Sequence, residues 1–389
     1  MLKLFGSVLA VSALVFIAVA SSIADYVALA TALIGLATAI GQRSPIVTAR
    51  GWWMPALALA LLALTLPLVY RGPLDLLPLA ALSPLLLVPG VAFLVARNDE
   101  LLNGLALPLL CLIGVIVAFF VGLSESDGGT VRVGAGNNPI HFGGLSVMVG
   151  FMALSGVCVG RSPWRLLFLT GPLFGLAVVM LSGSRGPLLG GVAMAVASLP
   201  LLVAWFWRDK WFVAVFGVLA AGATIAGVML ASSMRAISLF GDTLQALSGT
   251  AGGVLDPNRT ALYTAAREQF MASPIVGQGF GQVMALVRAR FPDVEIVQTL
   301  EHLHSDIADF GAGGGVLGLA AYGLVIATPL VVTLRRGADR AVIMGGVLLS
   351  TGYFGLGLTN AMFGILPQTV LYVVLLGYLA GLARAGRAT

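Results

Sequence analysis

The sequence predicts an all-α polytopic membrane protein of about 12 transmembrane helices, and three observations carry that expectation. Hydrophobic residues make up 59% of the 389 residues and charged residues only 10%, where a soluble domain carries roughly 25% charged residues. The mean hydropathy is +1.02. Apolar stretches near twenty residues recur almost from end to end, each long enough to cross about 30 Å of hydrocarbon. A β-barrel would instead alternate apolar and polar residues over segments of about ten.

Taken in order, the expected spans are 4–22, 24–41, 53–70, 75–96, 100–122, 138–158, 164–182, 187–206, 212–231, 307–332, 341–359 and 362–383. The first, in "MLKLFGSVLAVSALVFIAVASS", has the look of a signal peptide with an Ala18–Ala20 end, but its apolar stretch is long for one, so we read it as a retained helix. Cys111 and Cys158 fall inside apolar runs and suggest neither a disulfide nor a metal site. The net charge of +5 does not point to nucleic acid, because in a membrane protein the distribution of basic residues matters more than their sum.

That distribution orients the chain. With the N-terminus in the cytoplasm, 13 of the 21 basic residues fall on the inner side and 8 outside, and five of those eight lie in one long segment, 232–306. Long loops escape the positive-inside rule, so the short loops divide 13 to 3. The acidic residues run the other way, 4 inside and 12 outside. Both termini are expected in the cytoplasm. Three regions follow: 1–231 with spans 1–9, 232–306 as a large periplasmic loop with amphipathic helices, and 307–389 with spans 10–12. Cytoplasmic turns such as "GRSPWR" and "RRGADR" leave no room for a nucleotide-binding domain. Loops as long as 232–306 are usually functional.

Three stretches on the outer side carry chemistry. In "LSGSRGPLLGG", 181–191, two spans meet in a tight turn that holds Arg185 at the membrane boundary. Its free amides can face an anion, whereas the plain alternative is an arginine snorkelling to lipid head groups. In "DPNRTALYTAAREQFMASPIVGQGFGQV", 256–283, Asp256 or Asn258 can cap a helix that sets Arg259, Tyr263, Ala266 and Phe270 on one face, with Arg267 on a neighbouring flank. Pro274 ends it and "GQGFG" follows as a flexible loop. An interfacial helix on anionic lipid is the rival reading. With only Lys3 and Lys210 in the chain there is no Walker-type phosphate loop.

The third stretch, "EHLHSDIADFGAGGGVLG", 301–318, gathers His302, His304, Glu301, Asp306 and Asp309. As a strand it would put His302, His304 and Asp306 on one face, as a metal site needs. As a helix, with Ser305 or Asp306 as N-cap, the set scatters. Metal binding, a catalytic histidine and plain capping all stay open on these residues. Gly311-xxx-Gly315 and Gly314-xxx-Gly318 would let a neighbouring helix come close. Arginine suits phosphate bidentately, and histidine suits removal of a hydroxyl proton near neutral pH. Two arginines and a histidine on one face describe a transferase with a phosphate leaving group, and outside the cytoplasm its donor must arrive in the membrane, polyprenyl-linked.

The C-terminal two thirds, from about residue 130 to 383, resembles the O-antigen ligase and O-antigen polymerase superfamily of bacterial membrane glycosyltransferases. Four stretches carry the resemblance: "NNPIHFGG", "SGSRGP", "NRTALYTAAREQFMASPIVGQGFG" and "HSDIADFGAGGGVLG", the last with the family's His, Gly and Gly at His304, Gly315 and Gly318. It implies that Arg185 and Arg259, with Arg267 assisting, hold an undecaprenyl pyrophosphate. It also implies that His304 activates an acceptor hydroxyl in an inverting transfer that uses no metal or other cofactor. His302 and Asp306 stand as auxiliary candidates, and His302 departs from the usual pattern.

The expected activity is ligation of a preassembled glycan onto lipid A–core, at the periplasmic face of the bacterial inner membrane. The expected partners are the undecaprenyl-pyrophosphate-linked glycan, the lipid A–core acceptor and membrane lipids, with no nucleic acid. A polymerase joining glycan repeats would use the same donor site, and Arg132 with Gly143 fits an Arg-x10-Gly spacing associated with polymerases. From other classes, a lipid-linked-oligosaccharide flippase would need the arginines without the base. A metal-dependent transferase would have only Glu125–Asp127 to offer.

Overall fold

A computed structural model of the chain describes residues 1–47, 53–127, 132–231, 257–335 and 337–385, apart from the side chains of 223–231, 257–260, 296 and 385. The described residues are helical, without strands. Among the described residues, eight helices are long and apolar enough to cross a membrane: Ser21–Gly41, Pro73–Ala96, Ala106–Glu125, Pro139–Cys158, Pro163–Ser182, Arg185–Phe206, Asp306–Thr333 and Leu366–Arg384. Three apolar helices are shorter, Leu2–Phe16, Trp53–Val69 and Lys210–Gly222. Arg340–Gly357 is also helical, and so helix occupies every expected span.

Pro139–Cys158 and Leu366–Arg384 are the most buried spans and form the centre of the bundle. Small residues let backbones meet where lipid supplies no hydrophobic drive. A Cβ on Gly35 would stand 2.5 Å from the Gly90 carbonyl oxygen, and one on Gly150 would stand 2.6 Å from that of Gly171. At the end the charge bias assigns to the cytoplasm, Lys3 pairs with Glu100 and Arg165 with Asp209. Arg165 also lies over the Phe206 ring. These contacts tie neighbouring short turns together.

Asp306–Thr333 is not one continuous helix. Gly315 sits at φ 58°, ψ −146°, which splits it in two. The helical bonds that Val316 and Leu317 would donate to Ala312 and Gly313 are opened, and residues 274–279 bridge all four groups. The Val316 N–H donates to the Pro274 carbonyl at 2.7 Å and that of Leu317 to Ile275 at 3.3 Å, while Gln278 and Gly279 donate to the carbonyls of Ala312 at 2.9 Å and Gly313 at 3.0 Å. Irregular backbone at membrane depth is tolerated when the protein itself satisfies it.

Two sequence expectations change here. The "GQGFG" stretch is stapled rather than flexible, with Gln278 also donating from its side chain to the Gln269 carbonyl at 3.1 Å. The glycines admit a loop as well as a helix: a Cβ on Gly313 would strike the Phe280 ring at 2.7 Å. Gly318 meets the Phe310 carbonyl of its own chain, which the break folds back onto it.

The loop is anchored from a second side. Phe280–Arg290 begins without a side-chain cap of its own. The buried Asp75 supplies one from a distant segment, accepting from the Gly281 N–H at 3.0 Å and the Arg71 N–H at 2.8 Å. Its charge at a helix N-terminus is favourable. From Phe280, ring contacts run through Phe310, Tyr322 and Phe363 to Tyr353 and Tyr372 in the bundle centre.

Candidate active site

The turn that carries Arg185 is built as its residues suggest. Gly183 closes the preceding helix in the left-handed conformation, φ 58°, and Arg185 opens the next one after an extended Ser184. Arg185 is exposed at that helix start, where backbone N–H groups and the helix dipole favour an anion. Arg132 braces the turn: Nη2 donates to Ser184 Oγ at 2.7 Å and Nε to the Ser182 carbonyl at 3.3 Å. Gly143 leaves room for the same turn, since a Cβ there would stand 2.8 Å from Ser182 Oγ. Both ends of the Arg-x10-Gly spacing therefore serve the turn, which ligase and polymerase chemistry need alike.

The histidine stretch is irregular from Leu300 to Ser305, and the helix starts at Asp306. Ser305 is the N-cap, accepting from the Ala308 N–H at 3.5 Å. Asp306 is buried, and its Oδ1 accepts from the N–H groups of Met362 at 2.9 Å and Phe363 at 3.1 Å. Its carboxylate thus organises the 357–364 turn. Ser305 Oγ donates to the Gly357 carbonyl at 3.3 Å. From the other side, a Cβ on Gly186 would stand 2.6 Å from Thr359 Oγ1. The same turn therefore bonds to the histidine stretch and packs closely against the arginine turn. Sequence reasoning passed over it, because nothing in "LTNAMFG" marks its partners.

His304 has φ 55°, a left-handed conformation that a non-glycine residue adopts at a cost and that often marks functional sites. Its neighbours impose it. The Leu303 N–H donates to Asp309 Oδ1 at 3.0 Å, the His304 N–H donates to His302 Nδ1 at 3.2 Å, and the Tyr263 hydroxyl donates to the His304 carbonyl at 3.5 Å. The two imidazoles stand 4.3 Å apart, edge to face. His141, in "NNPIHFGG", lies within electrostatic reach of His302, so all three histidines of the chain gather here.

Burial, and then the charge of His304, push the His302 pKa down to about 4 against a partial opposing pull from Glu301. His302 is therefore neutral at pH 7. With Nδ1 accepting, its proton sits on Nε2, which makes it a donor. The shift also has a sign for stability. The unfolded chain takes up this proton near pH 6.5, before the folded protein does. Stability is then full above that pH and is lost as pH falls toward about 4. The melting temperature in detergent is expected to drop across this window, and His302→Gln to make the drop shallower. An identical pH profile in the variant would mean that His302 does not carry this coupling.

Helix Pro257–Ala272 presents Leu262, Ala265, Ala266 and Gln269 as its buried side, which shares only Ala266 with the Arg259–Tyr263–Ala266–Phe270 face. Tyr263 and Phe270 are half-buried, and Arg267 is exposed beside Glu268. Arg259 falls in the first turn of this helix, and its side chain and the expected cap at Asp256 or Asn258 lie outside the described residues. Among the described residues no three His, Cys, Asp or Glu side chains converge as metal ligands.

A cavity of about 440 Å³ opens beside His302, with Arg288, Glu301 and Asp309 also in its wall. Sequence reasoning had missed Asp75 and His141. A lone acid at the start of an apolar stretch was a readable signal for the first. His141 carried none, beyond standing in a stretch already quoted for its resemblance.

The apolar helical bundle is that of a multi-pass membrane protein, with a helix-start arginine and a strained histidine beside a neutral one on the outer side of its sequence-assigned topology. Residues 170–323 match the family model described as O-antigen ligase, so that segment of the chain is similar to the O-antigen ligase and polymerase superfamily. No curated protein matches the chain. The match covers the arginine turn, the loop helices and the break, but not the 357–364 turn that links them.

Proposed function

We propose that the protein is an O-antigen ligase of the bacterial inner membrane, working at the periplasmic face. It transfers a preassembled glycan from undecaprenyl pyrophosphate to a sugar hydroxyl of lipid A–core, with inversion and without a metal. The observation that carries the reading is the division of labour between the two neighbouring histidines. A neutral His302 that accepts at Nδ1 serves as a donor, which leaves His304 to take the hydroxyl proton. The acceptor oxygen then bonds to the anomeric carbon as the bond from that carbon to the pyrophosphate oxygen breaks. Arg185, Arg259 and Arg267 balance the charge that develops on the leaving pyrophosphate, for which guanidinium geometry is suited.

Purified protein, an undecaprenyl-pyrophosphate glycan and rough lipopolysaccharide, with EDTA throughout, are expected to yield glycan on lipid A–core. A ladder of longer polyprenyl-linked glycan would make the protein a polymerase instead. Loss of product in EDTA would restore a metal, and translocation without any transfer would make it a flippase.

A further inference from the structure

The cavity beside His302 has a chemistry unlike that of a pyrophosphate site. Neither Arg185 nor Arg267 is in its wall. Its polar wall carries Arg288, two acids, Glu301 and Asp309, and the neutral His302. The Glu301 carboxylate would repel a pyrophosphate, but acid oxygens accept hydrogen bonds from sugar hydroxyls, while guanidinium and imidazole N–H groups donate to them. The other walls include the rings of Phe280, Phe310 and Phe363, flat apolar surfaces of the kind that covers the C–H face of a pyranose.

Two buried atoms here want partners. Asp309 Oδ1 takes the Leu303 N–H, but Oδ2 has no partner among the described residues. Arg288 donates from Nη2 to the Leu300 carbonyl at 2.7 Å, yet its Nε has none. Buried polar atoms are normally satisfied, and both of these belong to residues of the cavity wall. The volume of about 440 Å³ lies in the range of small-molecule sites. Leu74 and Leu77, also in the wall, are exposed on the bundle surface, so the cavity opens where a lipid-borne molecule arrives.

We infer that this cavity is the acceptor-side site and takes the receiving sugar of a membrane-borne glycolipid. The inference rests on the ligase reading above and adds where the acceptor sits. Its polar end hands the sugar hydroxyl toward the histidine pair, while the leaving pyrophosphate stays with the arginines.

The test is steady-state transfer by the full-length protein in detergent, varying rough lipopolysaccharide at saturating donor and then the reverse. Wild type is compared with Ala285→Trp, which fills the cavity from an exposed wall position, and with Glu301→Gln. An unchanged melting temperature serves as the folding control. Both variants are expected to raise the acceptor KM about tenfold and to leave the donor KM within about twofold, the signature of lost acceptor binding. A rise in donor KM instead, or no change in either KM, would overturn the acceptor site while leaving the ligase reading intact. No product from the wild type would defeat the ligase reading and the acceptor site with it.

Discussion

Substituting His304 by alanine or asparagine is expected to lower the transfer rate by about 10²–10⁴, the usual worth of a positioned general base. The asparagine variant is the sharper of the two. Asparagine tolerates the left-handed backbone that His304 adopts at φ 55°, so the loop conformation and the melting temperature should persist while the proton acceptor is gone. His302→Ala should cost far less, about tenfold, because it removes a hydrogen-bond acceptor for the His304 N–H rather than the base. A variant series in which His302→Ala is the dead enzyme and His304→Asn keeps its rate would exchange the two roles. Tautomer and position together assign the two roles. His302 is buried and neutral, with Nδ1 occupied, and His304 is held in a costly conformation by Asp309, Tyr263 and the 357–364 turn.

Much of this was legible in the sequence, and the illegible parts share a cause. Apolar runs and a charge bias expose the bundle, since hydropathy and length are local properties. The Ser182–Pro187 turn was readable because serine, glycine and proline announce a tight reversal. Ser305 was one of two capping candidates, and the structure chose it while giving Asp306 to Met362 and Phe363. The buried side of Pro257–Ala272 was not legible. Periodicity gave a helix with several apolar flanks, and only docking against Phe280–Arg290 and the broken helix selects the Leu262, Ala265, Ala266 and Gln269 side. The Gly311–Gly315 run looked like helix-packing glycine. No local rule says that Pro274 and Ile275 carbonyls, some forty residues earlier, will replace its helical bonds. Long-range backbone pairing leaves little trace in composition.

That pairing yields the second large effect, at Gly315. Its φ 58°, ψ −146° conformation lies close to a region essentially reserved for glycine. A Cβ there would also stand 2.5 Å from the Ile275 carbonyl carbon. Strain of about 1–3 kcal/mol from the backbone alone, with the collision added, sets an expected cost for Gly315→Ala of about 3 kcal/mol or more. The loss should be local before it is global. With Val316 and Leu317 no longer able to meet 274–279, the loop helices come away from the broken helix, and proteolysis within 257–305 should quicken ahead of the main thermal transition. Activity should go with it, since the same loop carries Arg259 and Arg267 and ends at the histidines. Gly323, in the same helix, is the control: a Cβ there meets nothing within 4 Å. Gly323→Ala should be neutral or stabilising by up to about 1 kcal/mol, as for glycine in any regular helix. If both variants melted and were cleaved alike, the break at Gly315 would not be what holds the loop over the membrane bundle. The glycine run would then be ordinary helix packing after all.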